Sequence, residues 1–106
     1  MRAVDIIIPV YNGYDDIQLC MDSILRHTDL TRHRVILVND KSPDERILPL
    51  LRGYAEAHEH VELIDSPVNE GFSASVNKGM SFSDRDVILL NSDTIVTRGW
   101  VDKITA

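Results

Sequence analysis

Residues 87–94 read VILLNSDT, four apolar residues that run straight into a short polar tip. A continuous apolar run of this length predicts a β-strand that is buried on both faces of a sheet. The tip then falls at the carboxyl end of that strand, where open α/β sheets bind their ligands. On extended backbone Asn91 and Asp93 share one side, and two oxygen ligands on one side can hold a hard divalent cation. A turn that merely ends the strand is the simpler interpretation of this stretch taken alone.

The rest of the chain alternates apolar blocks with segments of helical periodicity. Compact apolar runs predict further strands at residues 4–10, 34–39 and 61–65. Helical patterns lie between these strands, and a last helix is predicted to begin at Trp100. The order β-α-β-α-β-α-β-α predicts an α/β fold, a Rossmann-like parallel sheet with helices on both faces and right-handed crossovers. We expect the strand order 3-2-1-4, which places a switch point between the first and fourth strands.

The third helix carries an apolar line in which Phe72, Val76 and Met80 are spaced by four residues. Gly79 lies beside this line, and a residue without a side chain there predicts close contact between the helix and the sheet.

Bulk composition limits the classes of function. The chain has 106 residues, 43% hydrophobic and 26% charged, which predicts one globular domain. A net charge of −6 argues against nonspecific nucleic-acid binding and against an anionic membrane surface, and a bound diphosphate would need a cation or helix N-termini to offset repulsion. One cysteine excludes an internal disulfide and favours a cytoplasmic location. No apolar run approaches the roughly 18 residues of a membrane span, and residues 1–3 lead directly into a strand, so we expect no signal peptide.

Polar tips follow three of the four predicted strands. Tyr11 and Asn12 follow the first, Asn39 and Asp40 follow the second, and residues 91–93 follow the fourth. Because the carboxyl ends of parallel strands meet at one edge, we expect the first and fourth tips to face each other across a crevice. The second tip then lies one strand further along.

The residue types at this edge indicate a chemistry. Tyr11 offers an aromatic face for a base, and Asp40 offers an acceptor for a base N–H or a ribose hydroxyl. An Asx turn that caps its own loop is an equally good interpretation of Asp40. Gly71, ahead of a helix, lets backbone approach a ligand closely. Asp93, helped by Asn91, would bind a divalent cation that bridges two phosphates.

Several common site motifs are missing from the sequence. It contains no Gly-x-Gly-x-x-Gly and no Gly-x-x-x-x-Gly-Lys-Ser/Thr, and no Cys/His cluster suggests zinc. It also lacks the Gly-x-Ser-x-Gly of a hydrolase nucleophile.

Four motifs in order resemble family 2 glycosyltransferases, which have the GT-A fold, and in particular their rhamnosyltransferase-like members. The motifs are VDIIIPVYN at 4–12, VNDKS at 38–42, NEGFS at 69–73 with NKG at 77–79, and LNSDT at 90–94 followed by Gly99-Trp100. The resemblance implies a site for a UDP-, dTDP- or GDP-sugar, with Mg²⁺ or Mn²⁺ held against the diphosphate. The candidate nucleotide-binding residues are Pro9, Val10, Tyr11, Asn12, Asp40, Gly71, Asn77, Asn91 and Ser92, and the candidate metal ligands are Asp93 and Asn91.

Three positions depart from the family pattern. Asn39 stands where the family's Asp-Asp-x-Ser element has its first Asp, and Asn91 stands where its metal motif has its first Asp. Some members carry Arg before the helix Asn, where this chain has Val76. Asp93 is therefore the stronger candidate for a metal ligand.

The resemblance implies inverting sugar transfer to an acceptor hydroxyl, with a carboxylate general base that lies beyond residue 106. We therefore interpret residues 1–106 as the nucleotide-sugar-binding half of a partial GT-A domain, truncated before the acceptor region, whose longer parent is an enzyme, in the cytoplasm or at the inner face of a membrane. A catalytically inactive fragment or interaction module is the alternative. The fourth strand would then lie at an edge of the sheet, so we also expect self-association there.

Overall fold

Four β-strands and four α-helices alternate along residues 3–105, the part of the chain that the computed structural model describes. Met1 and Arg2, for which we predicted direct entry into the first strand, lie outside the described residues, as does Ala106. The strands are β1 (Val4–Val10), β2 (Arg34–Asn39), β3 (Val61–Asp65) and β4 (Asp86–Leu89). The helices are α1 (Tyr14–His27), α2 (Ile47–Ala57), α3 (Phe72–Phe82) and α4 (Trp100–Thr105). Within this part of the chain no helix is long and apolar enough to cross a membrane.

The sheet is parallel throughout, and its strand order is β3-β2-β1-β4. Both predictions are confirmed. β4 pairs only with the first part of β1: Leu89 lies opposite Ile7, and the Leu90 N–H donates to the Ile7 carbonyl at 2.9 Å. β1 continues to Val10, which still pairs with Asn39 of β2. The chain after β4 therefore separates from β1 near the carboxyl edge, which leaves a crevice at the switch point.

Helices cover both faces of the sheet, as predicted, but unequally. Ile6 and Ile8 of β1 belong to the larger core cluster, to which α1, α2 and α4 all contribute. Ile7, Ile36 and Val38 form a smaller cluster on the opposite face, which α3 covers. This division follows from the alternation of side chains along each strand.

The helix α3 packs on the sheet through its small residues. Ser75 and Gly79 are buried, whereas Phe72 and Met80 of the predicted apolar line are 56% and 50% exposed. A Cβ at Gly79 would lie 2.5 Å from Cγ2 of Ile7, so the helix sits too close to the sheet for any side chain there. Close contact at Gly79 is confirmed, and Phe72 and Met80 lie on the exposed side of the helix.

The strand β4 differs from the prediction of burial on both faces. Leu89 is 46% exposed, Val87 and Ile88 are half-buried, and only Leu90, just past the strand, is buried. Within residues 3–105, β4 is an edge strand whose one neighbour in the sheet is β1. An apolar run in the sequence therefore does not guarantee cover on both faces.

Candidate functional site

A cleft of about 550 Å³ opens at the carboxyl edge of the sheet, between the segments that follow β1, β2 and β4 and the start of α3. Its lining residues are Pro9, Val10, Tyr11, Asn12, Gly13, Asp16, Asp40, Asn69, Gly71, Phe72, Ser75, Asn91, Ser92 and Asp93. The structure thus brings together every predicted site residue except Asn77, which is exposed on α3 and does not line the cleft. We call Asp40, Gly71 and Ser75 the Asp40 end of the cleft, and residues 91–93 the Asp93 end.

Asp40 joins the segment after β2 to the start of α3. The residue is 4% exposed, and its two carboxylate oxygens accept the N–H groups of Glu70 at 2.7 Å and Gly71 at 2.9 Å. These bonds to Glu70 and Gly71 differ from the Asx turn that was one interpretation of the sequence. A carboxylate offers about four acceptor positions, so Asp40 keeps capacity for a donor from a ligand.

Asn39 is the centre of a second network, which reaches the cleft through Asn12. Its amide nitrogen donates to Asp65 at 3.1 Å, and its amide oxygen accepts the Ser42 hydroxyl at 2.7 Å and the Ser42 N–H at 3.2 Å. The Ser42 hydroxyl in turn accepts the Asn12 N–H at 3.0 Å. An Asp at position 39 would lose the donor and face the carboxylate of Asp65. The departure from the family motif at Asn39 is therefore matched by Asp65 on the neighbouring strand.

Gly71 sets the direction in which α3 starts. Its φ of 89° lies where side chains are disfavoured, and its N–H is shared between Asp40 and the Asn69 side chain at 3.1 Å. Four residues on, the Ser75 N–H donates to the Gly71 carbonyl at 3.1 Å. The start of a helix, which favours negative charge, therefore borders the Asp40 end.

The Asp93 end is an exposed turn. The Thr94 N–H donates to the Asn91 carbonyl at 3.1 Å, so the backbone is not extended and the alternation argument for Asn91 and Asp93 does not hold. Both residues border the cleft nonetheless. The turn lies against α1: burial and the nearby charge of Asp93 raise the pKa of the Cys20 thiol to about 11.

The donor set of the Asp93 end fits a hard divalent cation in part. Asp93 and Asn91 supply oxygen ligands, which Mg²⁺ and Mn²⁺ prefer. No group of three His, Cys, Asp or Glu side chains within residues 3–105 forms a metal cage. A cation here would therefore need a ligand's own oxygens and water to complete its coordination.

The lining residues that were not predicted as site residues are Gly13, Asp16, Asn69, Phe72 and Ser75. Ser75 had a usable signal, because it lies one helical turn after Gly71. Asp16 lies in the first turn of α1 next to Gly13, where helical spacing alone gives no reason to expect a cleft residue.

Residues 5–106 match the family described as Glycosyl transferase family 2. The uncharacterized glycosyltransferase YibD of Escherichia coli K12 is 36% identical over 79 residues, which are 74% of this chain and 22% of YibD. The chain spans between 11% and 33% of the length of four curated relatives that it matches.

Two solved structures share the fold. Residues 1–349 of TarS of S. aureus, in complex with UDP-GlcNAc, have a TM-score of 0.84 at 19% identity over 99% of this chain and 30% of that TarS chain. The mannosyltransferase PcManGT of Pyrobaculum calidifontis, in complex with GDP-Man and Mn²⁺, has a TM-score of 0.82 at 21% identity over 92% of this chain and 30% of its own. At these identities the likeness establishes the GT-A fold. Because the family match covers nearly the whole length, the chain belongs to glycosyl transferase family 2.

Proposed function

We propose that this chain is the donor-binding part of an inverting glycosyltransferase, and that its cleft binds a nucleotide-diphospho-sugar together with a divalent cation. One observation carries the proposal: a buried carboxylate and an exposed carboxylate border the same cleft from strands on either side of β1. Adjacent strands lie about 4.8 Å apart, so the two ends are on the order of 10 Å apart. That span suits a ligand with a nucleoside at one end and phosphates at the other.

The Asp40 end suits the nucleoside. Asp40 keeps acceptor capacity for a base N–H or a ribose hydroxyl, and the surrounding backbone is already held by its own hydrogen bonds. Tyr11, which is 53% exposed, offers a ring face on which a base can stack. UDP, dTDP and GDP are the candidate nucleotides, and TarS and PcManGT, with UDP-GlcNAc and GDP-Man in their complexes, support this class.

The Asp93 end is suited to bind the diphosphate with the help of a cation. A chain of net charge −6 repels a diphosphate unless positive charge is supplied, and Asp93 with Asn91 would hold Mg²⁺ or Mn²⁺ for this purpose. The ion, when bound, offsets the charge that develops on a departing diphosphate. The Mn²⁺ in the PcManGT complex supports a cation of this kind.

The acceptor and the general base are assigned outside this chain. Inverting transfer needs a carboxylate that removes a proton from the acceptor hydroxyl, and we place no carboxylate of residues 3–105 in that role. Catalysis therefore belongs to a longer parent protein in this proposal, and donor binding belongs to the cleft described above.

A binding or interaction module without catalytic activity is the second candidate. Asn91 favours it, because an amide there contributes no charge to the Asp93 end. Such a module would keep the fold and its cleft but would not need a cation.

Calorimetric titration with UDP, dTDP and GDP, with and without Mn²⁺, tests the donor site. We expect one of them to bind with Mn²⁺ present, and Asp93→Ala to abolish the cation-dependent part. Asp84→Ala, which removes an exposed carboxylate between α3 and β4, is the matched control and should leave binding unchanged. Binding of equal strength without Mn²⁺ would contradict the role of Asp93. Failure of all three nucleotides to bind would overturn the donor site and favour the module.

We also propose self-association of this chain through β4. The edge strand presents Leu89, 46% exposed, on a side where no other strand of the described sheet pairs with it. Light scattering should show dimers at high concentration, and Leu89→Lys should return the chain to monomers. A monomer for the unaltered chain under the same conditions contradicts the proposal.

A further inference from the structure

The hydroxyl of Ser75 stands out among the buried polar groups of the described residues. Its Oγ is the one buried side-chain nitrogen or oxygen within residues 3–105 that has no hydrogen-bond partner, and the residue is only 1% exposed. Buried hydroxyls are nearly always hydrogen-bonded, because a buried group without a partner destabilises the protein. A serine inside a helix often donates to the carbonyl one turn earlier. In this structure the Gly71 carbonyl accepts the Ser75 N–H, and the hydroxyl has no such bond.

Ser75 lines the same cleft as Asp40. Both residues line it, and both are tied to Gly71: Asp40 accepts the Gly71 N–H, and Ser75 donates its N–H to the Gly71 carbonyl. The Asp40 end therefore combines an acceptor-only carboxylate with a hydroxyl that is still able to donate. A ligand edge that places an N–H next to a carbonyl oxygen satisfies both groups at once.

We propose that Ser75 determines base specificity by donating its hydroxyl hydrogen to the carbonyl oxygen next to the ring N–H that Asp40 accepts. This inference rests on the proposed donor site and deepens it. The matching edge is the lactam edge, which is N3–H with O4 in uracil and thymine and N1–H with O6 in guanine. Cytosine and adenine carry an amino group in place of that carbonyl and no hydrogen on the neighbouring ring nitrogen. The Ser75 hydroxyl and Asp40 therefore both lose their partners there, and Ser75 accounts for one part of the preference.

Paired nucleotides that differ at this edge provide the test. The chain is titrated with UDP against CDP and with GDP against ADP, in the presence of Mn²⁺, and the same four titrations are repeated with Ser75→Ala. We expect the unaltered chain to prefer the lactam base of the pair that it binds. Ser75→Ala should weaken binding of that nucleotide about tenfold, the typical effect of one hydrogen bond, and leave its amino counterpart unchanged.

Ser73→Ala is the matched control, because Ser73 is exposed on the same helix and does not line the cleft. It should bind all four nucleotides as the unaltered chain does. Ser75→Ala should also fold as well as the unaltered chain or better, since it removes an unpaired hydroxyl and introduces a better helix former. Thermal unfolding checks this, and a lowered melting temperature would show that the Ser75 hydroxyl already has a partner within the protein and overturn the inference.

The outcomes separate the two proposals. A lactam preference that falls about tenfold in Ser75→Ala and is unchanged in Ser73→Ala supports the role of Ser75. A preference of the same size in Ser75→Ala as in the unaltered chain overturns that role while the donor site stands. A chain that binds none of the four nucleotides overturns the donor site and, with it, the role of Ser75.

Discussion

The two ends of the cleft are built in opposite ways. At the Asp40 end, side chains hold the backbone in place: Asp40 accepts two N–H groups, and the Asn39 network ties β2, β3 and the segment after β1 together. At the Asp93 end, Asn91 and Asp93 are exposed on a turn. A rigid end can recognise shape before a ligand arrives, whereas an open end needs a ligand or a cation to complete it.

Asp40→Ala should have the largest effect, because it removes the acceptor that holds the Asp40 end together. Two partly buried N–H groups lose a charged partner, so we expect the free energy of unfolding to fall by about 2 kcal/mol and nucleotide binding to be lost. Urea denaturation measures the first and calorimetry the second. Asp40→Asn keeps one acceptor oxygen, so its free energy of unfolding should lie between those of Asp40→Ala and the unaltered chain. Unchanged stability in Asp40→Ala would show that the Asp40 end is not pre-organised by this residue.

Gly79→Ala tests how closely α3, the helix that begins at the Asp40 end, packs on the sheet. The new Cβ would lie 2.5 Å from Ile7 Cγ2, so the helix must shift, and we expect a loss of about 2 kcal/mol in stability. Gly53→Ala on α2 is the matched control, because a Cβ there meets no atom within 4 Å and should stabilise the chain by up to about 1 kcal/mol. Equal effects of the two substitutions in denaturation would refute close packing at Gly79.

Asn91→Asp should strengthen cation binding at the Asp93 end and leave the Asp40 end unchanged. A second carboxylate there adds a charged ligand, so we expect Mn²⁺ affinity to rise about tenfold, with stability changed by less than about 0.5 kcal/mol. Asn77→Asp makes the same change of charge at an exposed position outside the cleft and should leave Mn²⁺ affinity unaltered. Calorimetric Mn²⁺ titration decides, and a similar gain in both variants would indicate a general charge effect.

A variant of His33, which lies outside the cleft, tests how the stability of the chain depends on pH. Its Nδ1 accepts the Val4 N–H at 3.1 Å, and burial, with the charge of Arg32, lowers the pKa of the ring below its ordinary value of 6.5. The folded chain thus favours the neutral ring, while the unfolded chain takes up a proton near pH 6.5. Its contribution to stability is present above that pH and is lost as the pH falls through the lowered pKa. In His33→Gln this part of the pH dependence should vanish from urea denaturation curves, and a slope equal to that of the unaltered chain would contradict it.

The pattern of apolar residues in the sequence was sufficient to predict much of the fold. It was not sufficient to predict how exposed individual side chains are. Apolar blocks such as residues 34–39 predicted the strands, and alternation with helices predicted the parallel sheet. The same reasoning placed Leu89 in the interior, and it is 46% exposed. A run of apolar residues reports which segments form strands, but the position of a strand in the sheet decides whether both faces are covered.

Predictions about the site were likewise correct for which segments meet and incorrect for local backbone geometry. The gathering of Tyr11, Asp40 and Asp93 at one edge followed from the strand order, since parallel strands end on the same side. The expected pairing of Asn91 and Asp93 on extended backbone was wrong, because the chain turns there. Whether the assigned residues bind a nucleotide stays a prediction for the titrations above.

By itself, the sequence determined that this protein is a parallel α/β domain of glycosyl transferase family 2 with polar residues at the ends of three strands. Periodicity and motifs depend on residues that are close together in the sequence, so they can be recognised without the structure. Only the tertiary structure decided that Asn39 pairs with Asp65 and that Asp40 binds the start of α3, contacts between residues 26 to 31 positions apart. Strand register and the distance between helix and sheet select such partners, and both arise only when the whole chain is packed.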